Sequence, residues 1–131
     1  MIRAGGCQCG AVRYQLEGEP NDIALCHCAG CRKSSGAPMM AWAGYPENRL
    51  TVTKGAPKAV NSSGKSFRSF CEACGTGLFY RNEEFLPGIV EVTVGSFDEP
   101  ESLPPTLHIQ AAEELGWMKR AHELPHVERF S

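Results

Sequence analysis

The chain has 131 residues, 42% of them hydrophobic, which is enough for one domain that buries its own core. Its formal charge of −2, from 13 Lys and Arg against 15 Asp and Glu, lacks the basic excess typical of general nucleic-acid binding. It has no run of about eighteen apolar residues, and residues 1–10 lack the apolar stretch of a secretion signal. We therefore expect neither a membrane span nor export.

The predicted elements are mostly β-strands. Alternation of apolar and polar residues over 12–17 places Val12, Tyr14 and Leu16 on one face of a half-buried strand. The other predictions, in chain order, are a helical turn at 30–34, strands at 38–43, 50–53, 67–70, 78–81, 89–94 and 107–110, and a helical turn at 111–115. Because no linker or repeat divides these segments, we predict a mainly β single domain over about residues 3–127.

Seven cysteines carry the strongest chemical signal, and they fall into three groups. Their number is odd, and a cytoplasmic setting keeps thiols reduced, so a disulfide framework is disfavoured. We expect a cytoplasmic protein whose cysteines bind metal. The groups are Cys7 with Cys9, then Cys26, Cys28 and Cys31, then Cys71 with Cys74.

The first and third groups together supply four ligands. In a C-x-C pair on extended chain both sulfur atoms point to the same side, and a C-x-x-C turn followed by glycine forms a tight knuckle around a metal. Cys7, Cys9, Cys71 and Cys74, with Gly75 after the last of them, therefore predict a closed structural zinc site. The alternative is that these cysteines are small buried apolar residues, but ligand spacing rarely arises for packing alone.

The middle group offers three thiolates within six residues, and three protein ligands with one open position is the pattern of catalytic zinc. Strand alternation directs His27 away from Cys26 and Cys28. Two alternatives stay open at this point. A distant Asp or His closes the site, or the thiols react without metal. The possible histidine donors are His108, His122 and His126.

Five blocks of the sequence, in order, resemble the glutathione-dependent formaldehyde-activating enzymes and centromere protein V. They are 5–14, 26–36, 70–76, 92–98 and 105–109, with Trp117 following. The resemblance implies a fold of several coiled β-sheets (β-tent, Mss-like) stabilised by zinc. It also implies two Zn²⁺ ions per chain, one structural and one catalytic and more labile. The ligands of the closed, structural site would be Cys7, Cys9, Cys71 and Cys74. The ligands of the open, catalytic site would be Cys26, Cys28 and Cys31. Gln110 departs from the family, in which an aromatic residue is common at this position near the presumed ligand cleft.

The resemblance further implies a carbon-sulfur lyase that joins glutathione to formaldehyde. Zinc would either deprotonate the incoming thiol or polarise the carbonyl oxygen, and the sequence does not choose between these routes. Glutathione carries two carboxylates, and basic residues without acidic neighbours at 48–71 are candidate contacts, as are Arg32 and Lys33. The alternative is that this segment is a solvated loop. The basic residues of the segment are Arg49, Lys54, Lys58, Lys65 and Arg68.

Two other functions compete with the lyase. One is a noncatalytic zinc module that binds a protein or a nucleic acid, and the other is a redox-sensing thiol protein. Two aromatic side chains are given structural roles: we expect Trp117 to lie in the core and His108 to form a structural hydrogen bond.

Overall fold

Ten β-strands form two sheets in the computed structural model, which describes residues 1–130. One α-helix, α1 (Ala29–Ser35), and five short 3-10 turns accompany them in this part of the chain. The strands are β1 (Ile2–Gly6), β2 (Arg13–Glu17), β3 (Asp22–Cys26), β4 (Met40–Pro46), β5 (Leu50–Lys54), β6 (Lys58–Ser63), β7 (Ser66–Phe70), β8 (Gly77–Arg81), β9 (Ile89–Thr93) and β10 (Leu107–Ile109).

The smaller sheet has the order β1-β2-β5, and the larger has the order β10-β3-β4-β9-β8-β7-β6. Neighbouring strands are antiparallel, apart from β10, which runs parallel to β3. The prediction of a mainly β single domain is confirmed. Every predicted strand exists with ends shifted by a few residues, the turn at 30–34 lies within α1, and the turn at 111–115 is the 3-10 turn Ala111–Glu113.

Three strands carried no recognisable signal in the sequence. Two glycines in β1 and a short mixed run in β3 hide the alternation on which strand prediction depends. The six residues of β6 are all exposed, because β6 is the edge strand of the larger sheet and packs on neither face. Tertiary pairing therefore overrides weak local preference at these positions.

The core lies between the two sheets. From β2 it receives Tyr14 and Leu16, both fully buried, and from β9 it receives Val90 and Val92. The Tyr14 ring packs edge-on against Phe79 and Phe97, at centroid distances of 5.4 and 5.6 Å. Burying such large side chains contributes on the order of 2 kcal/mol each.

The opposite face of the larger sheet carries the residues that alternate with this core. Because successive side chains of a strand point to opposite faces, Trp42 and Gly44 of β4 and Glu91 of β9 lie on the side away from the core. This second face receives α1 and the loop that leads to it, and it forms the floor of the site described below.

The prediction that Trp117 lies in the core is wrong, because its side chain is 62% exposed. It belongs to the 3-10 segment Gly116–Glu123, which has no buried residue. This segment follows β10, the last strand, so the larger sheet offers it no further partner. No helix in residues 1–130 is long and apolar enough to cross a lipid bilayer.

Replacing Gly5 with alanine tests the packing between β1 and the core. A methyl group at Gly5 would overlap the Tyr14 phenol and the Ser96 carbonyl, so we expect the free energy of unfolding to fall by about 1–3 kcal/mol. Urea denaturation measures the change. Gly95→Ala is the matched control, since nothing lies within 4 Å of its added methyl group. Equal stability of the two variants would contradict this packing.

Candidate metal centres

The first centre joins two turns that are distant in sequence. Cys7 and Cys9 lie in the turn after β1, and Cys71 and Cys74 lie in the turn between β7 and β8. The sulfur atoms of all four lie within 4.8 Å of one another. One detail of the prediction is wrong: the C-x-C pair is not extended, because the Gly10 amide donates to the Cys7 carbonyl at 3.1 Å and closes a turn.

The spacing of these sulfur atoms fits zinc. A tetrahedral ion with Zn–S bonds of 2.3 Å separates its ligands by about 3.8 Å. The Cys7–Cys9 and Cys9–Cys71 sulfur distances are 3.6 and 3.8 Å. Hydrogen bonds from the Thr76 hydroxyl and backbone amide lower the pKa of Cys74 to about 5, which favours the thiolate that a metal requires.

The second centre is built at the start of α1. Cys26 ends β3, Cys28 caps the helix by accepting a hydrogen bond from the Cys31 amide at 3.2 Å, and Cys31 lies in the first turn. The Cys26 and Cys31 sulfur atoms are 3.5 Å apart. Hydrogen bonds from the Cys26 and Cys28 thiols and the nearby Arg68 guanidinium lower the pKa of Cys31 to about 5. Within residues 1–130, no Asp, Glu or His donor joins the three sulfur atoms as a fourth member.

His27 points away from this centre and contacts His108 instead. Their nitrogen atoms are 2.8 Å apart, the ring centres 5.0 Å apart, and the planes only 30° apart, so the rings meet edge to edge. A tetrahedral zinc ion bound to two such nitrogens would hold them about 3.3 Å apart, farther than the observed 2.8 Å. Glu114 also lies near the two histidines. We interpret the His27–His108 contact as a hydrogen bond, which agrees with the structural role predicted for His108.

A cavity of about 200 Å³ opens beside the second centre. We call it the cleft. Gln110, predicted to lie near the ligand site, lines it and adopts the left-handed backbone conformation, with φ of 53°. Such strain in a non-glycine residue is often found at functional sites. The other polar and aromatic lining residues are Asp22, Trp42, Arg68, Tyr80 and Glu91.

Among the described residues, Arg68 is the basic residue considered for anion binding that lines the cleft. Its guanidinium lies 4.9 Å from the centre of the Tyr80 ring, and Nη2 is 3.9 Å from the Cys31 sulfur. Lys58 and Lys65 pair with surface carboxylates, as expected of a solvated segment.

Arg32, a candidate anion contact in the sequence, makes two hydrogen bonds within the protein. Its Nη1 donates to the backbone carbonyls of His27 and Glu113 at 2.6 and 2.7 Å, which ties α1 to the segment after β10. The guanidinium therefore has a structural role.

Sequence reasoning missed Glu91. It is the single charged residue in the β9 run Ile-Val-Glu-Val-Thr, and that isolation was an available signal. Burial, together with the nearby charges of Asp22 and Cys31, raises the pKa of Glu91 to about 7. A carboxyl group with such a shift in a cleft is a candidate functional residue.

Known proteins are similar to this chain in sequence and in fold. A family model for the glutathione-dependent formaldehyde-activating enzymes matches residues 2–113. A putative glutathione-dependent formaldehyde-activating enzyme of Halomonas elongata is 25% identical over 130 residues, which cover 91% of this chain and 81% of the relative.

Two further relatives are a fungal sequence and a bacterial structure. An uncharacterized lyase of Schizosaccharomyces pombe is 30% identical over 76 residues, or 58% of this chain, and the match spans only 55% of that relative. The crystal structure of a Rhodobacter sphaeroides protein has a TM-score of 0.64 at 26% identity, covering 80% of this chain and 98% of that one. The fold that the resemblance implied is confirmed.

The pH dependence of stability should reveal the burial of Glu91. The unfolded side chain loses its proton near pH 4.5 and the folded one near pH 7, so wild-type stability should fall as pH rises across this window. We expect Glu91→Gln to be more stable than wild type by about 1–2 kcal/mol at pH 8, with the difference shrinking toward pH 5.5. Urea denaturation of both proteins at several pH values measures this difference in the free energy of unfolding, and the exposed Glu84→Gln is the control. A difference that does not vary with pH would contradict the shift.

The two centres should differ in their contribution to stability. Cys9 and Cys71 are 62 residues apart in sequence, whereas Cys26 and Cys31 are five apart, so the first centre restricts the unfolded chain far more. We expect Cys71→Ser to lower the free energy of unfolding by roughly 3–5 kcal/mol and Cys28→Ser by about 1 kcal/mol. Denaturation with zinc quantification checks both, and each variant should lose one metal equivalent. Equal losses of stability would contradict this ranking.

Proposed function

Because the chain belongs to the glutathione-dependent formaldehyde-activating enzyme family, we propose that it is a carbon-sulfur lyase that adds glutathione to formaldehyde or releases it from the adduct. The observation that supports this most directly is the convergence of Cys26, Cys28 and Cys31 at the cleft without a fourth protein donor among the described residues. Three ligands and a vacant position suit a metal that receives a substrate.

We assign zinc to both cysteine centres. Cys7, Cys9, Cys71 and Cys74 would hold a structural ion, and Cys26, Cys28 and Cys31 a more labile, catalytic one. The catalytic ion would supply positive charge that favours the thiolate form of an incoming thiol near neutral pH. We place the reaction in the cytoplasm, where cysteines stay reduced, and all seven cysteines are free thiols here.

The addition forms one carbon-sulfur bond. The thiol loses its proton, its sulfur attacks the formaldehyde carbon, the carbonyl π electrons move to oxygen, and the oxygen takes up a proton to give the hydroxymethyl thioether. No oxidant or reductant is consumed. The release reaction is the reverse, so one site serves both directions.

The residues of the cleft suit a small carbonyl and a charged thiol. Trp42 and Tyr80, with ring centres 6.0 Å apart, form an aromatic wall next to the sulfur atoms. Arg68 is held by Tyr80 and by the Ser62 hydroxyl, to which its Nε donates at 3.2 Å. A guanidinium fixed in this way is suited to bind a carboxylate of the thiol substrate.

Calorimetry with glutathione tests this function. We expect the zinc-loaded protein to bind glutathione, and Cys31→Ser, which removes a ligand of the open centre, to bind at least tenfold more weakly. S-methylglutathione is the matched control, because it keeps both carboxylates and the amine but cannot present a thiolate. Equal binding of glutathione by both proteins, or binding by neither, would favour a noncatalytic zinc module instead.

A further inference from the structure

Two carboxylates face each other across a glycine on the floor of the cleft. Asp22 of β3, Gly44 of β4 and Glu91 of β9 are direct cross-strand partners, so they form one row on the face away from the core. A methyl group built on Gly44 would lie 2.5 Å from an Asp22 oxygen and 3.1 and 3.3 Å from the Glu91 oxygens. Both carboxylates therefore lean over the space that the missing side chain leaves.

Neither carboxylate has a partner within residues 1–130. Asp22 and Glu91 form no side-chain hydrogen bond with a protein donor and no ion pair there, whereas carboxylates outside the cleft, such as Asp98 and Glu47, pair with arginines. Burial raises the pKa of Glu91 to about 7, and the nearby charges of Asp22 and Cys31 add to the rise, so the charged form of Glu91 costs free energy when no cation is bound. A bound cation would remove that cost.

The same row continues to a positive charge. Glu91 pairs with Tyr80 of β8, and Tyr80 pairs with Arg68 of β7. The floor of the cleft is thus acidic at the β3 side and basic at the β7 side, with the three sulfur atoms lining the same cavity. This arrangement matches a ligand that carries a thiol, a cationic group and an anionic group.

We propose that Asp22 and Glu91 bind the protonated primary amine of the thiol substrate. This inference rests on the proposed function, which places the substrate sulfur at Cys26, Cys28 and Cys31. An ammonium group has three donors and can bridge two carboxylates that lean over one point.

The length of the cleft fits a long aminothiol. Asp22 and Cys26 lie four residues apart on β3, or about 13 Å along the strand, and side chains and substrate together span that gap. The amine and sulfur of glutathione can separate by roughly 9 Å in an extended chain, by the reach of a peptide. The pair of carboxylates would therefore select for a free γ-glutamyl amine.

Comparing glutathione with N-acetylglutathione tests the proposal, because acetylation removes the amine charge and keeps the thiol and both carboxylates. We expect the zinc-loaded wild type to bind glutathione about tenfold more tightly by calorimetry. The double variant Asp22→Asn with Glu91→Gln should bind the two thiols equally. The control, Glu84→Gln with Glu99→Gln, removes two exposed carboxylates outside the cleft and should keep the wild-type preference.

The outcomes separate this inference from the proposed function. If wild type binds both thiols equally and Cys31→Ser abolishes both, the carboxylate pair does not recognise the amine although the lyase proposal stands. If the control variant loses the preference for glutathione over N-acetylglutathione as fully as the cleft variant, the preference comes from long-range electrostatic attraction and not from direct contact with Asp22 and Glu91. The proposal is then overturned. If wild type binds neither thiol, the proposed function fails and this inference fails with it.

Discussion

Four sulfur atoms meet where the turn after β1 approaches the turn between β7 and β8, and an ion bound to them would link the two sheets. β1 belongs to the smaller sheet, and β7 and β8 belong to the larger. Cys7 and Cys71 are also members of the hydrophobic core, so metal ligation and apolar burial would stabilise the same junction. A link between distant parts of a chain stabilises by restricting its unfolded states.

The two faces of the larger sheet have different roles: one packs in the core, and the other lines the cleft. Strand β9 illustrates this, since Val90 and Val92 are fully buried in the core while Glu91 faces the cleft. Packing on the core face holds the strand backbones in place, and these backbones in turn position the side chains that face the cleft. The second centre needs no long-range link of its own, because its three cysteines are local and the helix cap positions them.

Charge is distributed in the cleft as a small dipole. Tyr80 lies between the Arg68 cation and the Glu91 carboxylate and keeps them from neutralising each other. Each of these charges is therefore available to a ligand. A carboxylate without a partner in a half-buried cleft, such as Glu91, is costly in the absence of a ligand, and sites that bind charged substrates commonly contain such groups.

The sequence by itself determined the strands with clear alternation, the mainly β class and the grouping of the cysteines, because period-two patterns and ligand spacings are local properties. It could not determine β1, β3 or β6, whose strand state comes from pairing with neighbours. The sequence also could not predict the exposure of Trp117 or the structural hydrogen bonds of Arg32, since both depend on where the segment after β10 lies. Above all, Asp22, Gly44 and Glu91 are separated by dozens of residues, and only the register of three adjacent strands brings them together beside the sulfur atoms. Cross-strand register is set by packing of the whole sheet, so tertiary structure alone decided the floor of the cleft.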